Sequence, residues 1–163
     1  MPIEIEITDN TIKVEQALDA QIKNALELVG ATAASYASNN IDKAGRVNLG
    51  TLKGSITHQV HGNEVHVGTN LEYAPYWELG TGKYASQGGR PGFWVYVANS
   101  DVKGHNTGKR YSEKEARQIM AILRKKGLDA HMTEGIKPIH FIKNALQDHI
   151  SQFRDFIEKE LSK

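Results

Sequence analysis

The sequence predicts an α+β protein: a mainly antiparallel sheet with two long helices packed on one face, a shorter third helix and a long glycine-rich loop. Three observations carry this. Apolar residues recur at three- and four-residue steps over many turns in two places, Val14 to Tyr36 and Phe141 to Leu161. Between them, Ser55 to Thr69 reads as a hairpin, because Gly62-Asn63 is a two-residue turn pair with β-rich flanks. The strands do not alternate with helices through crossovers, which excludes a doubly wound sheet and leaves antiparallel pairing. A chain of 163 residues is long enough to bury one core without staples, so residues 1–163 are expected to form a single domain.

The elements follow in order. Residues 2–7 alternate apolar with acidic side chains and read as a short strand, with Ile3, Ile5 and Ile7 on one face. The first long helix puts Val14, Leu18, Ile22, Leu26, Val29, Ala33 and Tyr36 on one stripe and Glu15, Asp19, Lys23 and Glu27 on the other side. Gly30 either weakens it by about 1 kcal/mol relative to alanine or permits close packing. Asn39-Asn40 marks its expected end. In the hairpin, the turn pairs Val60 with Val65 and His58 with Val67 and puts Ile56 opposite Thr69. His58 then shares a face with Ile56, Val60, Val65 and Val67, while Gln59 and His66 take the other.

Tyr73 to Leu79 reads as one or two helical turns opened around Pro75. The glycine-rich stretch 80–92 follows, then a strand at Phe93 to Val97 and a polar loop from 99 to 110. Ser112 and Glu115 form a capping box that opens a helix with Ala116, Ile119, Met120 and Leu123 inward, and Gly127 stops it. A short extended piece, Asp129 to Met132, leads to Pro138 and the last helix. The stripe of that helix is Phe141, Ile142, Ala145, Leu146, His149, Ile150, Phe153, Ile157 and Leu161.

Composition narrows the chemistry. With no cysteine there are no disulfides and no thiolate metal sites, which fits a reducing compartment. The first residues lack the basic start and apolar run of a signal peptide, and the most apolar stretch, Phe93 to Ala98, is strand-sized; no membrane association is expected. Twenty Lys and Arg against nineteen Asp and Glu leave a formal charge of +1, too small a field to draw in a polyanion. DNA binding would need a local patch, at Lys109-Arg110 or at Arg124-Lys125-Lys126. The second reads more simply as a helix end whose cations complement the dipole. The seven histidines show no metal-ligand spacing: His58 and His61, three apart on a strand, fall on opposite faces. No metal or cofactor is expected.

Gly80-Thr81-Gly82-Lys83 invites comparison with a phosphate-binding loop. A match needs a glycine five residues before Gly82 and a small hydroxyl after Lys83. Trp77 and Tyr84 stand at those positions, and the following glycines cannot open a helix. Nor do Ser55, His58 and Glu78 sit on the strand-to-helix elbow that a nucleophilic serine uses. No catalytic residue is assigned and the chain is not expected to be an enzyme.

Several pieces coincide with a known pattern. They are Val47-Asn-Leu-Gly-Thr-Leu-Lys-Gly-Ser-Ile56, Val67-Gly-Thr-Asn-Leu-Glu-Tyr-Ala-Pro-Tyr76, Glu78-Leu-Gly-Thr-Gly82 and Lys137-Pro-Ile-His-Phe141. In number, order and spacing they resemble the gene-ten-type tail component of lambdoid siphophages, a family of head-to-tail joining or tail-completion proteins. The resemblance covers Asn10 to Leu161. Asn48 and Leu49 stand where the family has aspartate and threonine, and Ile139-His140 precede Phe141 in the last motif.

The resemblance implies a non-enzymatic structural subunit of a long-tailed double-stranded DNA phage or prophage. Copies of the chain would form a ring, hexameric as in the family, at the head-proximal end of the tail. Its partners would be head-closure and tail-tube or tail-terminator proteins, with genomic DNA passing through the channel without sequence-specific binding. It would be made in the host cytoplasm and reside in the virion. The alternative is a small DNA-binding module using the basic end of the helix at 112–126. Family-motif or subunit-interface residues are then Gly50, Leu52, Ser55, Tyr73, Tyr76, Trp77, Glu78, Gly80, Thr81, Gly82, Lys83, Tyr84, Arg90, Pro138 and Phe141. The stretch 80–92 is expected to be an arm that orders against a neighbouring subunit, with Tyr84 and Arg90 as anchors and Trp94 covering the chain's own core. Gly82→Val is expected to impair assembly more than folding.

Overall fold

The computed structural model describes residues 9–45, 49–98 and 109–163. The strand expected at 2–7, the first two residues of the Val47–Ile56 motif and nearly all of the polar loop 99–110 lie outside them. The described elements, in order, are α1 (Thr11–Lys43), α2 (Gly50–Gly54), β1 (Thr57–His61), β2 (Glu64–Gly68), α3 (Ala74–Glu78), a 3₁₀ turn (Gly82–Tyr84), β3 (Trp94–Val97), α4 (Glu113–Lys125), β4 (Ala130–Thr133), α5 (Phe141–Gln147) and α6 (Ile150–Leu161). The fold is α+β. Two compact units divide it: Met1–Asn70 with Phe141–Lys163, and Leu71–His140. The domain expected over 1–163 has this internal division.

In the first unit α1 is the scaffold. At about 1.5 Å per residue, its 33 residues span roughly 50 Å. Its buried face is made of small and branched residues, Ala25, Val29, Gly30, Ala33, Ala37 and Ile41. Against it lie the β1–β2 ribbon, α5 and α6. The ribbon has the register set by its Gly62-Asn63 turn, with Val60 opposite Val65 and His58 opposite Val67. His58, Val60, Val65 and Val67 are half-buried, and the alternate residues Thr57, Gln59, His61, Glu64 and His66 are exposed. Gly30 permits close packing, the second of its two expected uses. A Cβ there would stand 2.6 Å from both His58 Cδ2 and Val65 Cγ2. His58 is satisfied by Glu27, whose Oε2 is 3.0 Å from Nε2.

Both helical stripes differ from expectation, each for a packing reason. Val14 and Leu18 are 63% and 47% exposed, and the whole stretch Thr11 to Ala20 is open to solvent, so the buried stripe of α1 begins later than its apolar pattern. The five-residue strands of the ribbon are only about 17 Å long and cannot cover a helix of this length. At its other end α1 runs past Asn39-Asn40 because Ile41 is 2% exposed and because Asn40 Nδ2 donates to the Phe141 carbonyl at 3.1 Å. The last helix is two, broken at Asp148-His149. There the His149 ring stacks on Tyr36 at 3.6 Å, and Tyr36 Oη donates to Gln152 Oε1 at 2.7 Å. The break resets the helical phase. Phe141, Ala145 and Phe153 are buried, while Ile150, expected inward, is 65% exposed.

The second unit is built around β3 and β4, paired antiparallel with Val95 opposite Met132 and Val97 opposite Ala130. The expected single sheet is thus, among the described residues, two separate two-stranded ribbons. The extended piece after Gly127 supplies the second strand that sequence reading left unpaired. α4 covers this ribbon, with Val95, Ala116, Leu123 and Ala130 buried together and Ile119 and Met120 packed on them. Its start is the expected capping box, in which the Ser112 amide donates to Glu115 Oε2 at 2.9 Å.

Gly30→Val should lower stability by about 1–3 kcal/mol, since the overpacked side chain must displace His58 or Val65 and valine regains little helix propensity. A chemical denaturation midpoint, read beside Ala31→Val on the exposed side of α1, checks this; equal effects would show that the close approach carries no cost.

Candidate functional site

The glycine-rich stretch folds back on its own unit. The Thr81 amide donates to the Ile136 carbonyl at 2.9 Å, the Ile136 amide to Thr81 Oγ1 at 2.9 Å and the Lys83 amide to the Glu134 carbonyl at 2.8 Å. Farther along, the Arg90 amide donates to the Gly82 carbonyl at 2.8 Å. Residues 81–83 therefore run alongside 134–136, and the Ile139 amide reaches the Trp77 carbonyl at 2.8 Å, which brings the Gly80–Gly82 and Pro138 motifs together. Gly82 sits at φ +60°, and a Cβ on it would meet the Glu134 backbone and, at 2.8 Å, Trp94 Cζ3. The stretch expected to order against a neighbour is thus already held by its own unit at 81–83. Gly82 is part of the unit's own architecture, so its replacement is a folding lesion first.

One carboxylate fixes the tip of the turn. Glu134 accepts from Tyr84 Oη and, at 3.1 Å, from Lys83 Nζ. The hydrogen bond from Tyr84, then that from Lys83, hold the Glu134 carboxyl below its ordinary range. The same contact with Glu134 raises both Lys83 and Tyr84. Lys83 thus faces a carboxylate, and the Thr81 and Lys83 amides, which a phosphate loop would aim at its anion, are engaged by backbone carbonyls.

Beside this turn lies a cleft of about 400 Å³, lined by Tyr76, Thr81, Gly82, Arg90, Trp94 and Arg110, with Ile136 completing the wall. The Arg110 guanidinium lies 4.3 Å from the Trp94 ring centroid, a cation–π contact that fixes its plane. Its Nε is buried without a hydrogen-bond partner. Arg90 is exposed, and among the described residues no acidic side chain lines the cleft. Two cations and two aromatic rings suit the site to an anion carried on a partly apolar partner.

The other sequence-predicted residues serve the fold. Leu52 and Phe141 are fully buried in the first unit, and Gly50 is exposed at the start of α2. Ser55 Oγ donates to the Leu52 carbonyl at 2.7 Å and lies 2.6 Å from Thr69 Oγ1, so it joins α2 to the foot of the hairpin. Tyr73 precedes α3, and Trp77 and Glu78 are half-buried within it. Tyr76 is 56% exposed at the cleft. Tyr84 and Arg90, expected together as anchors, part company: Tyr84 is tied to Glu134, and only Arg90 faces the cleft. Sequence reading missed Glu134 and met Arg110 only as half of a basic pair. No local pattern marks either, since their partners are distant in the chain. The basic end of α4 is partly engaged, with Arg124 Nε donating to the Ala130 carbonyl at 2.8 Å. Among the described residues no three His, Asp or Glu side chains group closely enough to hold a metal, and no helix is long and apolar enough to cross a membrane.

The Glu134 contacts make the turn pH-sensitive at both ends. Its carboxyl is depressed when folded, so its contribution is complete above the ordinary value of 4.5 and lost as pH falls through the lower folded value. Lys83 is raised, so its contribution is complete below 10.5 and lost as pH climbs through the higher folded value. Protection of the Thr81 and Lys83 amides, taken relative to their intrinsic exchange rates at each pH, should therefore fall in acid, and Glu134→Gln should flatten that fall. An unchanged fall in that variant would assign the sensitivity to another group. No family model, curated protein or solved structure matches the chain.

Proposed function

We propose that the chain is a structural subunit of a phage tail-completion ring, acting at the head-proximal end of a long tail and joining it to the head connector. The observation that carries this reading is the ordered set of motifs at 47–56, 67–76, 78–82 and 137–141, taken with the work those residues do in the fold. Leu52 and Phe141 are buried, Ser55 ties α2 to the hairpin, and Gly80–Gly82 meets the segment after β4. Such residues build a frame, as a family of structural subunits requires, and none is arranged around a reacting centre.

The surface supports assembly. Ile12, Val14 and Leu18 lie exposed on α1, and Tyr76 is exposed beside a cleft with two cations. The α+β fold implied by the resemblance is consistent with the first unit, where Val29 and Ala33 of α1 and Phe153 of α6 pack with Val65 and Val67 of the hairpin. In this reading copies of the chain surround a channel that passes genomic DNA without reading its sequence, and its virion neighbours are head-closure and tail-tube or tail-terminator proteins. A nearly neutral chain suits that task, because a strongly cationic lumen would hold the moving duplex.

Native mass spectrometry and light scattering of the chain, alone and with tail-tube or connector proteins, should reveal a closed cyclic assembly in at least one condition. A monomer in every mixture would overturn the proposal. Salt-sensitive affinity for duplex DNA without assembly would point instead to a DNA-binding module.

A further inference from the structure

Two surfaces of the chain carry complementary, uncompensated features. The first is the cleft of the second unit. The Arg110 guanidinium carbon lies 4.3 Å from the Trp94 ring centroid, a cation–π contact that leaves its charge without a counter-ion there. Among the described residues neither Arg110 nor Arg90 has an ion-pair partner. The second is the start of α1. Thr11 to Ala20 is solvent-exposed throughout, with Ile12 at 70% and Val14 at 63%. Glu15 and Asp19 lie in the same stretch, one helical turn apart, so their carboxylates share a face with Cβ atoms about 6 Å from one another. Neither takes part in an ion pair within 4 Å among the described residues, and the cation on the same side, Lys23, stands one turn beyond Asp19 and two beyond Glu15.

We propose that the cleft at Arg90, Arg110 and Trp94 of one copy receives the Glu15–Asp19 face of α1 from a second copy. The match is one of charge and number, two carboxylates one turn apart for two guanidiniums in one cleft. Apolar side chains flank both partners: Ile12 on the helix, Tyr76 and Ile136 at the cleft. A nucleic-acid backbone fits less well. Trp94's face is already covered by Arg110, which removes the platform a base would stack on, and a cleft of about 400 Å³ admits side chains rather than a duplex. The contact is heterologous, since a helix end meets a cleft elsewhere on the molecule. Repetition of such a contact gives a ring where its rotation closes, as the assembly reading requires, and an open filament where it does not. The inference thus deepens the assembly reading and rests on it.

The test is a charge exchange in the full chain, with assembly followed by light scattering across concentration and salt. R90E and the pair E15R/D19R should each weaken self-association by about tenfold or more, and the wild-type contact should weaken as salt rises. The variant combining R90E, R110E, E15R and D19R should recover at least part of the loss, which a merely structural role for these residues would not produce. Because Arg110 also covers Trp94, R90E alone serves where R110E impairs folding, with circular dichroism as the control. Wild-type rings that persist unchanged in R90E and E15R/D19R would overturn this contact and leave the ring reading standing. Loss in R90E but not in E15R/D19R would also overturn it, by giving the cleft to another acidic partner. A wild-type chain that never self-associates would overturn the contact, and the ring reading would fall with it if partners also failed to assemble the chain.

Discussion

The small-residue face of α1 is the constraint on which the first unit depends. A helix carrying Ala25, Gly30, Ala33 and Ala37 on its buried side lets a ribbon and two helices approach its backbone closely, so apolar contact is made by their side chains rather than its own. Gly30 is where the approach is tightest. The His58 ring and the Val65 methyl occupy the space a Cβ would take, and this sets the depth at which the hairpin sits. The cost in intrinsic helix propensity, about 1 kcal/mol, is offset by packing that a larger residue would prevent.

The second unit solves a different problem. Its ribbon is short and covered by one helix, so the segments flanking it need fastening of their own. Backbone bonds between 81–83 and 134–136 supply this, and Glu134 adds a charged clasp on Tyr84 and Lys83. Because these contacts are near the surface, their electrostatic part is modest and screened; the backbone bonds and the packing of Gly82 under Trp94 define the turn. The cleft is a by-product of this fastening: once the turn is fixed, Arg90 and Tyr76 are held beside Trp94 and Arg110.

Motif residues such as Leu52, Ser55 and Phe141 hold turns and cores, whereas the cleft cations, without ion-pair partners among the described residues, and the uncovered start of α1 are what the surface offers. Tyr84 shows the distinction. Exposure and residue type made it an anchor on paper, but a hydroxyl bound to Glu134 is a structural group. Arg110 went the other way, from a loop cation to the centre of the site.

What the sequence determined by itself was local. The hairpin register follows from a two-residue turn and strict alternation, the start of α4 from Ser112 and Glu115, its inward face from helical spacing, and the failed phosphate-loop match from two residue identities. Each involves groups close along the chain, where backbone geometry alone decides which atoms can meet. Tertiary structure decided the rest: that Val14 and Ile150 stay exposed although they lie on apolar stripes, that the last helix breaks at His149 to stack on Tyr36, that β3 takes β4 as its partner, and that Trp94, Arg110 and Gly82 share one cleft. A periodic pattern states which side chains could be buried together, but burial requires a covering surface. The length and position of that surface are set by contacts between segments dozens of residues apart.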